Sequence, residues 1–248
     1  MDNILREFQT ISLEEMGEVK LMNRIDSKFV THINLIIELL KLVRNDYLIQ
    51  EIDGEVNLPY HTCYYDTSDN NMFYQHQRGK KTRQKIRLRT YETGDSGSFL
   101  EIKSKNNKGR TKKKRVRIEE GDEISVYSEF LSSHTEYSSQ DLVPVIENHF
   151  YRITLVNHDK TERITIDTFL EFHNLTNNEK ISLPEIGIIE WKRDGRDKKS
   201  PLKKFLNELR IHEGGFSKYC IGMAMTDGSL KQNRLKTKIR KISKIIGS

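Results

Sequence analysis

The chain has 248 residues, of which 31% are charged and 35% hydrophobic, and its formal net charge is +6. This length fits one large β-rich domain or two small ones, and no apolar run approaches the roughly 18 residues of a transmembrane helix. Seven of the 42 Lys and Arg residues and none of the 36 acidic residues follow Gly228, so residues 1–228 carry a net charge of −1. The net charge is therefore no indication that the main domain binds nucleic acid.

The two cysteines, Cys63 and Cys220, have neither the spacing of a metal site nor that of a disulfide framework. The first residues, MDNILREFQT, lack the apolar region of a signal peptide. We therefore expect a cytoplasmic protein.

In chain order, the first twenty residues predict a short amphipathic helix and a turn, and a strand follows at 24–30. Apolar residues at helical spacing from Ile33 to Leu40 predict a helix with Thr31 as its N-cap. A strand is predicted at 61–66, with a helical turn near 72–77.

The middle of the chain predicts three consecutive antiparallel strands joined by Gly-containing turns, at 85–91, 99–105 and 112–118. Residues 122–150 indicate short helices. Further strands are predicted at 151–157, 161–169 and 186–193, and a helix begins at Ser200-Pro201. We find no internal repeat or linker. The predicted organisation is a single domain at 1–228 and a basic amphipathic C-terminal helix or tail at 229–248.

Charged residues of the middle strands fall on one alternating face: Lys85, Arg87 and Arg89, then Glu101 and Lys103, then Lys113, Arg115 and Arg117. Because successive side chains of a strand point to opposite faces, each strand has a charged row backed by a mostly apolar row. One interpretation is an antiparallel sheet with one solvated face. Interleaved acids, such as Asp26 and Glu190, favour a second one, a curled sheet whose charged interior holds a divalent metal and phosphates.

Eight motifs follow one another along the chain: Arg24-x-Asp26-x-Lys28-Phe29, Tyr64-Tyr65-Asp66-Thr67, Lys85-Ile86-Arg87-Leu88-Arg89-x-Tyr91, Phe99-Leu100-Glu101-Ile102-Lys103, Tyr151-Arg152, Arg163-Ile164-Thr165-Ile166-Asp167, Ile189-Glu190-x-Lys192 and Phe216-Ser217-Lys218-Tyr219. Each motif alone is weak, but the eight in this order are specific. From about residue 20 to 222 the chain resembles the VTC-type polyphosphate polymerase domain, which is similar in fold to the triphosphate tunnel metalloenzymes.

The resemblance implies an α+β fold, an antiparallel β-barrel with a basic interior (the triphosphate tunnel fold) and helices packed outside. It implies transfer of the γ-phosphate of ATP to a growing polyphosphate chain, with Mn²⁺ or Mg²⁺ as cofactor. ATP and inorganic polyphosphate are the expected partners, and nucleic acid is not expected. Any membrane partner would be a separate polypeptide, because the membrane spans of fungal family members have no counterpart here.

By motif match, the resemblance implies three groups of site residues. The catalytic group is Lys28, Arg87, Arg89, Arg152 and Lys218. The phosphate-binding group is Lys103, Arg115, Arg163 and Lys192, where Lys113 or Arg117 could replace Arg115 because the register is ambiguous by two residues. Glu190 takes the metal position, whereas Asp26, one methylene shorter than the family's Glu, is not expected to bind metal directly.

Two alternative functions stay open. A metal-dependent tri- or polyphosphatase on the same fold would have a Glu-x-Glu-x-Lys first strand, and Arg24 in place of the first Glu favours the polymerase. A non-catalytic polyphosphate sensor would not need Glu190. For the basic tail we expect packing on the barrel, with a peripheral position on an anionic inner membrane face as the alternative.

Overall fold

The structure is a computed structural model that describes residues 1–17, 24–93, 97–108, 110–194 and 200–247. The end of the predicted N-terminal helix and turn, and parts of the two predicted turns of the middle strands, lie outside the described residues. No helix within the described part of the chain is long and apolar enough to cross a membrane.

The strands are β1 (Thr10–Ser12), β2 (Arg24–His32), β3 (Tyr47–Glu51), β4 (Asn57–Asp66), β5 (Arg83–Tyr91), β6 (Gly97–Lys105), β7 (Thr111–Ile118), β8 (Val143–Asn157), β9 (Glu162–Asn174), β10 (Lys180–Leu183) and β11 (Ile186–Asp194). The α-helices are α1 (Asp2–Leu5), α2 (Leu13–Met16), α3 (Ile33–Val43), α4 (Asn71–Gln77), α5 (Ser128–His134), α6 (Pro201–Glu208), α7 (Lys218–Thr226) and α8 (Lys236–Ile246). Short 3₁₀ helices lie at Ile124–Tyr127 and Ser139–Asp141.

The strands form one sheet with the main order β2-β11-β9-β8-β4-β5-β6-β7, and each neighbouring pair on this path is antiparallel. Among the described residues, β2 and β7 do not pair, so the barrel is not strictly closed by hydrogen bonds. The sheet nevertheless curls around an interior. Lys103 of β6 lies within electrostatic reach of Glu190 of β11, although four strands separate β6 from β11.

Two apolar clusters cover the outer face of this sheet, where the alternate side chains of the strands point. Ile164, Ile166 and Ile189 pack with residues of α3 and α6. Ile86, Leu100 and Ile102 pack with Leu131 of α5. The predicted α+β barrel with apolar rows outward under helices and a charged interior is therefore confirmed.

A third apolar cluster fills one end of the interior, where α7 packs on the inner face of the sheet. Gly222 allows this approach, because a Cβ atom at this position would lie 2.5 Å from Phe172 Cδ1 and 2.7 Å from Ile146 Cδ1. Ile242 of α8 and the preceding Leu235 are buried in the same cluster. The division of the chain at residue 228 stays a prediction.

Three sequence-based expectations differ from the structure. Residues 143–150, predicted as helical, form the first half of β8, because ladders with β4 and β9 on both sides satisfy its backbone. The N-cap of α3 is His32 rather than Thr31, and the His32 ring nitrogen accepts a hydrogen bond from the Asn34 amide at 3.1 Å. The sequence does not predict the three short strands β1, β3 and β10. These strands lie outside the main strand order, where β3 pairs with β1 and β8 and β10 pairs with β9.

We expect Gly222→Ala to lower the free energy of unfolding by about 1–3 kcal/mol, because the added methyl group would overlap Phe172 and Ile146. Gly228→Ala is the matched control, since a Cβ atom added at Gly228 would meet no other atom within 4 Å. Urea denaturation of both variants measures the difference. An unchanged midpoint for Gly222→Ala would contradict the close packing of α7.

Candidate functional site

Strand alternation and register bring the predicted cations together on the inner face. Residues directly opposite each other in neighbouring strands share a face. The ladders place Arg87 opposite Glu101 and Glu101 opposite Arg115. Further neighbours that share the inner face are Lys85 with Lys103, Lys103 with Lys113, Arg152 with Asp167, Lys28 with Glu190, and Arg163 with Lys192.

Glu101, Asp167 and Glu190 are the buried or partly buried inner-face carboxylates that hold these cations, and Asp26, opposite Lys192, is an exposed carboxylate on the same face. The Glu101 side chain is 0% exposed and accepts hydrogen bonds from Arg87 Nε at 2.8 Å and Lys113 Nζ at 2.9 Å. Burial alone would raise the pKa of Glu101, but Arg87 and Arg89 lower it well below its ordinary value. Glu101 is therefore a fixed anion that orients the Arg87 guanidinium.

Asp167 is the second carboxylate and joins the sheet to α7. Arg152 binds it with a fork, with Nε 2.6 Å from Oδ1 and Nη2 2.8 Å from Oδ2. Lys218, at the start of α7, donates a further hydrogen bond to Oδ2. Burial lowers the pKa of Lys218 to about 7 and outweighs the opposite effect of Asp167.

Glu190 is the third carboxylate and the most accessible of the three. Its side chain is 20% exposed, against 5% for Asp167. Lys28 and Lys192 lie 3.7 and 3.4 Å from its oxygens, longer than a normal N–H···O hydrogen bond. Although burial raises the pKa of Glu190, these two cations lower it well below its ordinary value. Glu190 is thus an ionised carboxylate with oxygens that a cation can approach.

Arg89 is buried but forms no ion pair within the described part of the chain. Its Nε atom lies 3.4 Å from Thr62 Oγ1, and its guanidinium carbon lies 5.4 Å from the centre of the Tyr60 ring. Burial, and then the charges of Arg87 and Arg152, lower the pKa of Arg89 to about 10. An anion that entered the interior would supply the counter-charge that Arg89 lacks.

The four phosphate-binding candidates occupy different environments. Burial, followed by the charges of Arg87 and Arg89, lowers the pKa of Lys103 well below its ordinary value. Burial also lowers the pKa of Lys192 to about 8, with a smaller contribution in the same direction from Arg163. Arg115 is exposed, with its guanidinium carbon 4.8 Å from the centre of the Phe99 ring. On β7 it is Lys113 that contacts Glu101, and the roles of all these cations stay predictions.

Two features of the site lie outside the predicted groups of site residues. Lys85, which the sequence places in the charged row but not among those groups, is an inner-face cation whose Nζ donates to Ser217 Oγ at 2.7 Å. An aromatic platform of Tyr60 and Phe150 lies beneath the cations, with Arg152 5.0 Å from the Tyr60 centre and Lys218 3.8 Å from the Phe150 centre. No local pattern reveals this platform, because its two rings meet only through the β4–β8 register.

A separate group of side chains could hold a metal ion. One ligand atom from each of His61, Glu147 and His149 lies within 4.8 Å of the others. Thr62, the neighbour of His61, contacts Arg89 on the inner face, so His61 points to the outer face. Burial and then the adjacent His149 ring lower the pKa of His61. This group and Glu190 are therefore on opposite faces of the sheet.

The contrast between Asp167 and Arg89 gives a prediction for the ligand-free protein. We expect Asp167→Asn to lower the free energy of unfolding by about 3–5 kcal/mol, because Arg152 and Lys218 lose their buried counter-charge. Arg89→Met should leave this free energy unchanged or raise it, since repulsion from Arg87 and Arg152 disappears. Denaturation with urea measures both. Equal losses of stability in the two variants would contradict the electrostatic account of the interior.

Among curated proteins, the sequence has no match. Solved structures with similar folds include the bh2851 protein of Bacillus halodurans, with a TM-score of 0.49 and 12% identity over 79% of this chain and 96% of that one. They also include HpAC1 of Hippeastrum, with a TM-score of 0.47 and 14% identity over 82% of this chain and 97% of that one. The sequence model of the VTC domain matches residues 23–226, most of the chain, and the protein therefore belongs to the VTC domain family.

Proposed function

We propose that this protein is an ATP-dependent polyphosphate polymerase that transfers the γ-phosphate of ATP to the end of a growing polyphosphate chain. Family membership supports an activity on triphosphate or polyphosphate. The observation that carries the proposal is the enclosed inner face, where cations from the strands and α7 surround three carboxylates. In such an interior, successive cations could bind successive phosphates of a linear chain.

Phosphoryl transfer requires little covalent chemistry from a protein. Catalysis consists mainly of positioning the substrates and of stabilising charge on the transferred group. Glu101 and Asp167 hold Arg87 and Arg152 in place before substrate binds. Their guanidinium groups can then bind phosphate oxygens without a large reorganisation. The burial of these two guanidinium groups strengthens each of these contacts, because the dielectric constant around them is lower than in bulk water.

Glu190 fits the metal that the family implies. Mn²⁺ and Mg²⁺ prefer oxygen ligands, and Mg²⁺ is commonly held by one or two carboxylates together with substrate phosphates and water. Glu190 is ionised, accessible and only loosely paired with Lys28 and Lys192. When bound, the metal would neutralise charge on the phosphates. Lys28 and Lys192, on either side of Glu190, would position the phosphate oxygens that the metal does not reach.

Incubation of the purified protein with ATP and Mn²⁺, followed by a gel for long polyphosphate, tests the polymerase proposal. If the protein released phosphate from inorganic triphosphate and made no polymer, the result would indicate a phosphatase. If it bound polyphosphate without turnover, the result would indicate a sensor.

Lys113→Ala should reduce polymer synthesis, whereas Lys114→Ala should not. Lys113 contacts Glu101 on the inner face, and Lys114 is the adjacent residue of β7, opposite Ile102 of the outer face.

For the metal position, we expect Glu190→Gln to reduce turnover by at least about 100-fold, because the amide keeps the shape of the side chain but lacks its charge. Polyphosphate binding should persist through the cations. Glu208→Gln is the control, since Glu208 lies on α6 in an exposed pair with Lys204. Steady-state rates with Mn²⁺, together with polyphosphate binding by calorimetry, separate the two effects. Wild-type turnover in Glu190→Gln would place the metal elsewhere.

The lowered pKa of Lys218 predicts a pH dependence. With a pKa of about 7, Lys218 is about half protonated at pH 7 and almost wholly neutral at about pH 9, so its attraction for phosphate falls over this range. Arginine at this position stays charged over the whole range. The affinity for inorganic triphosphate should therefore fall by up to about tenfold relative to Lys218→Arg between about pH 7 and pH 9. Calorimetry at both pH values measures this ratio, and a constant ratio would show that Lys218 does not titrate there.

A further inference from the structure

The outer-face group of His61, Glu147 and His149 has no part in the proposed reaction. The β4–β8 ladder places His61 directly opposite His149 and Cys63 opposite Glu147. The two imidazole rings are stacked, with centres 4.2 Å apart and an angle of 13° between their planes. A ligand atom from each of His61, Glu147 and His149 thus lies in one small volume at the centre of the sheet.

The ring nitrogen of His61 is a buried atom that could bind a cation. His61 Nε2 is buried and forms no hydrogen bond of normal length. Its nearest acid oxygen, Glu147 Oε1, lies 3.5 Å away, beyond a normal hydrogen bond. Buried polar atoms without partners are rare and costly in folded proteins. A cation between these atoms would satisfy His61 Nε2 and the Glu147 carboxylate together.

The donor set indicates the class of cation. Two imidazole nitrogens and one carboxylate are typical ligands of Zn²⁺, whereas Mg²⁺ and Ca²⁺ prefer oxygen ligands throughout. Zinc binds such ligands at about 2.0–2.2 Å, so the ligand atoms of a tetrahedral site are about 3.3–3.5 Å apart. The present atoms lie within 4.8 Å of one another. Because a metal lies in the plane of each imidazole that binds it, the stacked rings would have to tilt towards each other, and the ligand atoms to move by about 1 Å, to bind one ion.

His173 of β9 adds a supporting contact to this group. Its Nδ1 atom lies 3.6 Å from Glu147 Oε2, the oxygen that does not face His61, and its Nε2 atom is 2.7 Å from Asn178 Oδ1. Groups that hold a metal ligand from behind fix its orientation and tune its affinity. His173 is thus placed as a positioning residue for the Glu147 carboxylate.

We propose that His61, Glu147 and His149 form a Zn²⁺ site on the outer face, separate from the phosphate site, that joins β4 to β8. These two strands also carry Tyr60, Thr62 and Arg152 of the inner face. A metal bridge between them would therefore stabilise the part of the sheet on which the aromatic platform is built. The proposal is independent of the polymerase activity, because no phosphate ligand takes part in it.

Calorimetric titration of the chelator-treated full chain with ZnCl₂ alone tests this site. We expect one Zn²⁺ per chain and a melting temperature that rises with Zn²⁺ concentration. His149→Ala should weaken Zn²⁺ binding by at least about 100-fold, and this exposed residue can be replaced without opening the core. Glu147→Gln should weaken it to a similar extent, and His173→Ala by about 10-fold.

Two control variants identify the site. His158→Ala removes an exposed histidine that contacts Asn45 elsewhere on the surface, and it should leave Zn²⁺ affinity unchanged. Glu190→Gln alters the inner face and should also leave the Zn²⁺ affinity unchanged. Co²⁺ in place of Zn²⁺ should give a visible absorption spectrum that His149→Ala abolishes. Zn²⁺ binding that survives His149→Ala, or that Glu190→Gln removes, would overturn the proposal.

Discussion

The structure depends on the need to balance positive charges that face an enclosed interior. Like charges a few ångströms apart repel strongly where water is scarce, and an unpaired buried cation is costly. Glu101, Asp167 and Glu190 reduce this repulsion, and each is held ionised by the cations around it. Burial is the main cause of the lowered pKa values of Lys103, Lys192 and Lys218, and repulsion from neighbouring arginines lowers each of them further, so the balance is incomplete.

This incomplete balance links the fold to its ligand. The outer clusters and the α7 cluster supply the apolar burial that keeps the barrel folded despite the repulsion within it. A bound polyanion would supply the charge that these carboxylates do not. The energy that would be released by relieving the repulsion is then available for binding phosphate. A fully neutralised interior would be more stable but would bind phosphate less tightly.

The sequence predicts the inner rows of the sheet well because the two-residue period of a strand is a local property. Alternation alone assigns Arg87, Arg89 and Lys103 to one face of the sheet, which in the structure is the inner face. What alternation leaves open is which residues meet. Whether Lys113 or Arg115 contacts Glu101 depends on how far the side chains reach across β6 and β7, and the Tyr60–Phe150 platform depends on pairing between distant segments. Helical patterning misassigns 143–150 for the same reason, since one of its partner strands, β4, is remote in sequence.

The β4–β8 ladder also shows how one register determines two sites at once. A shift of one residue would exchange the faces of each strand, so the pairing that brings Tyr60 onto Phe150 is also the pairing that brings His61 onto His149. A cation held on the outer face would then favour the inner arrangement over slipped pairings of the same strands. The two faces are electrostatically distinct, because the inner one attracts anions and the outer one offers imidazole and carboxylate to a cation. If both proposals hold, the same two strands support ligands of opposite charge on their two faces.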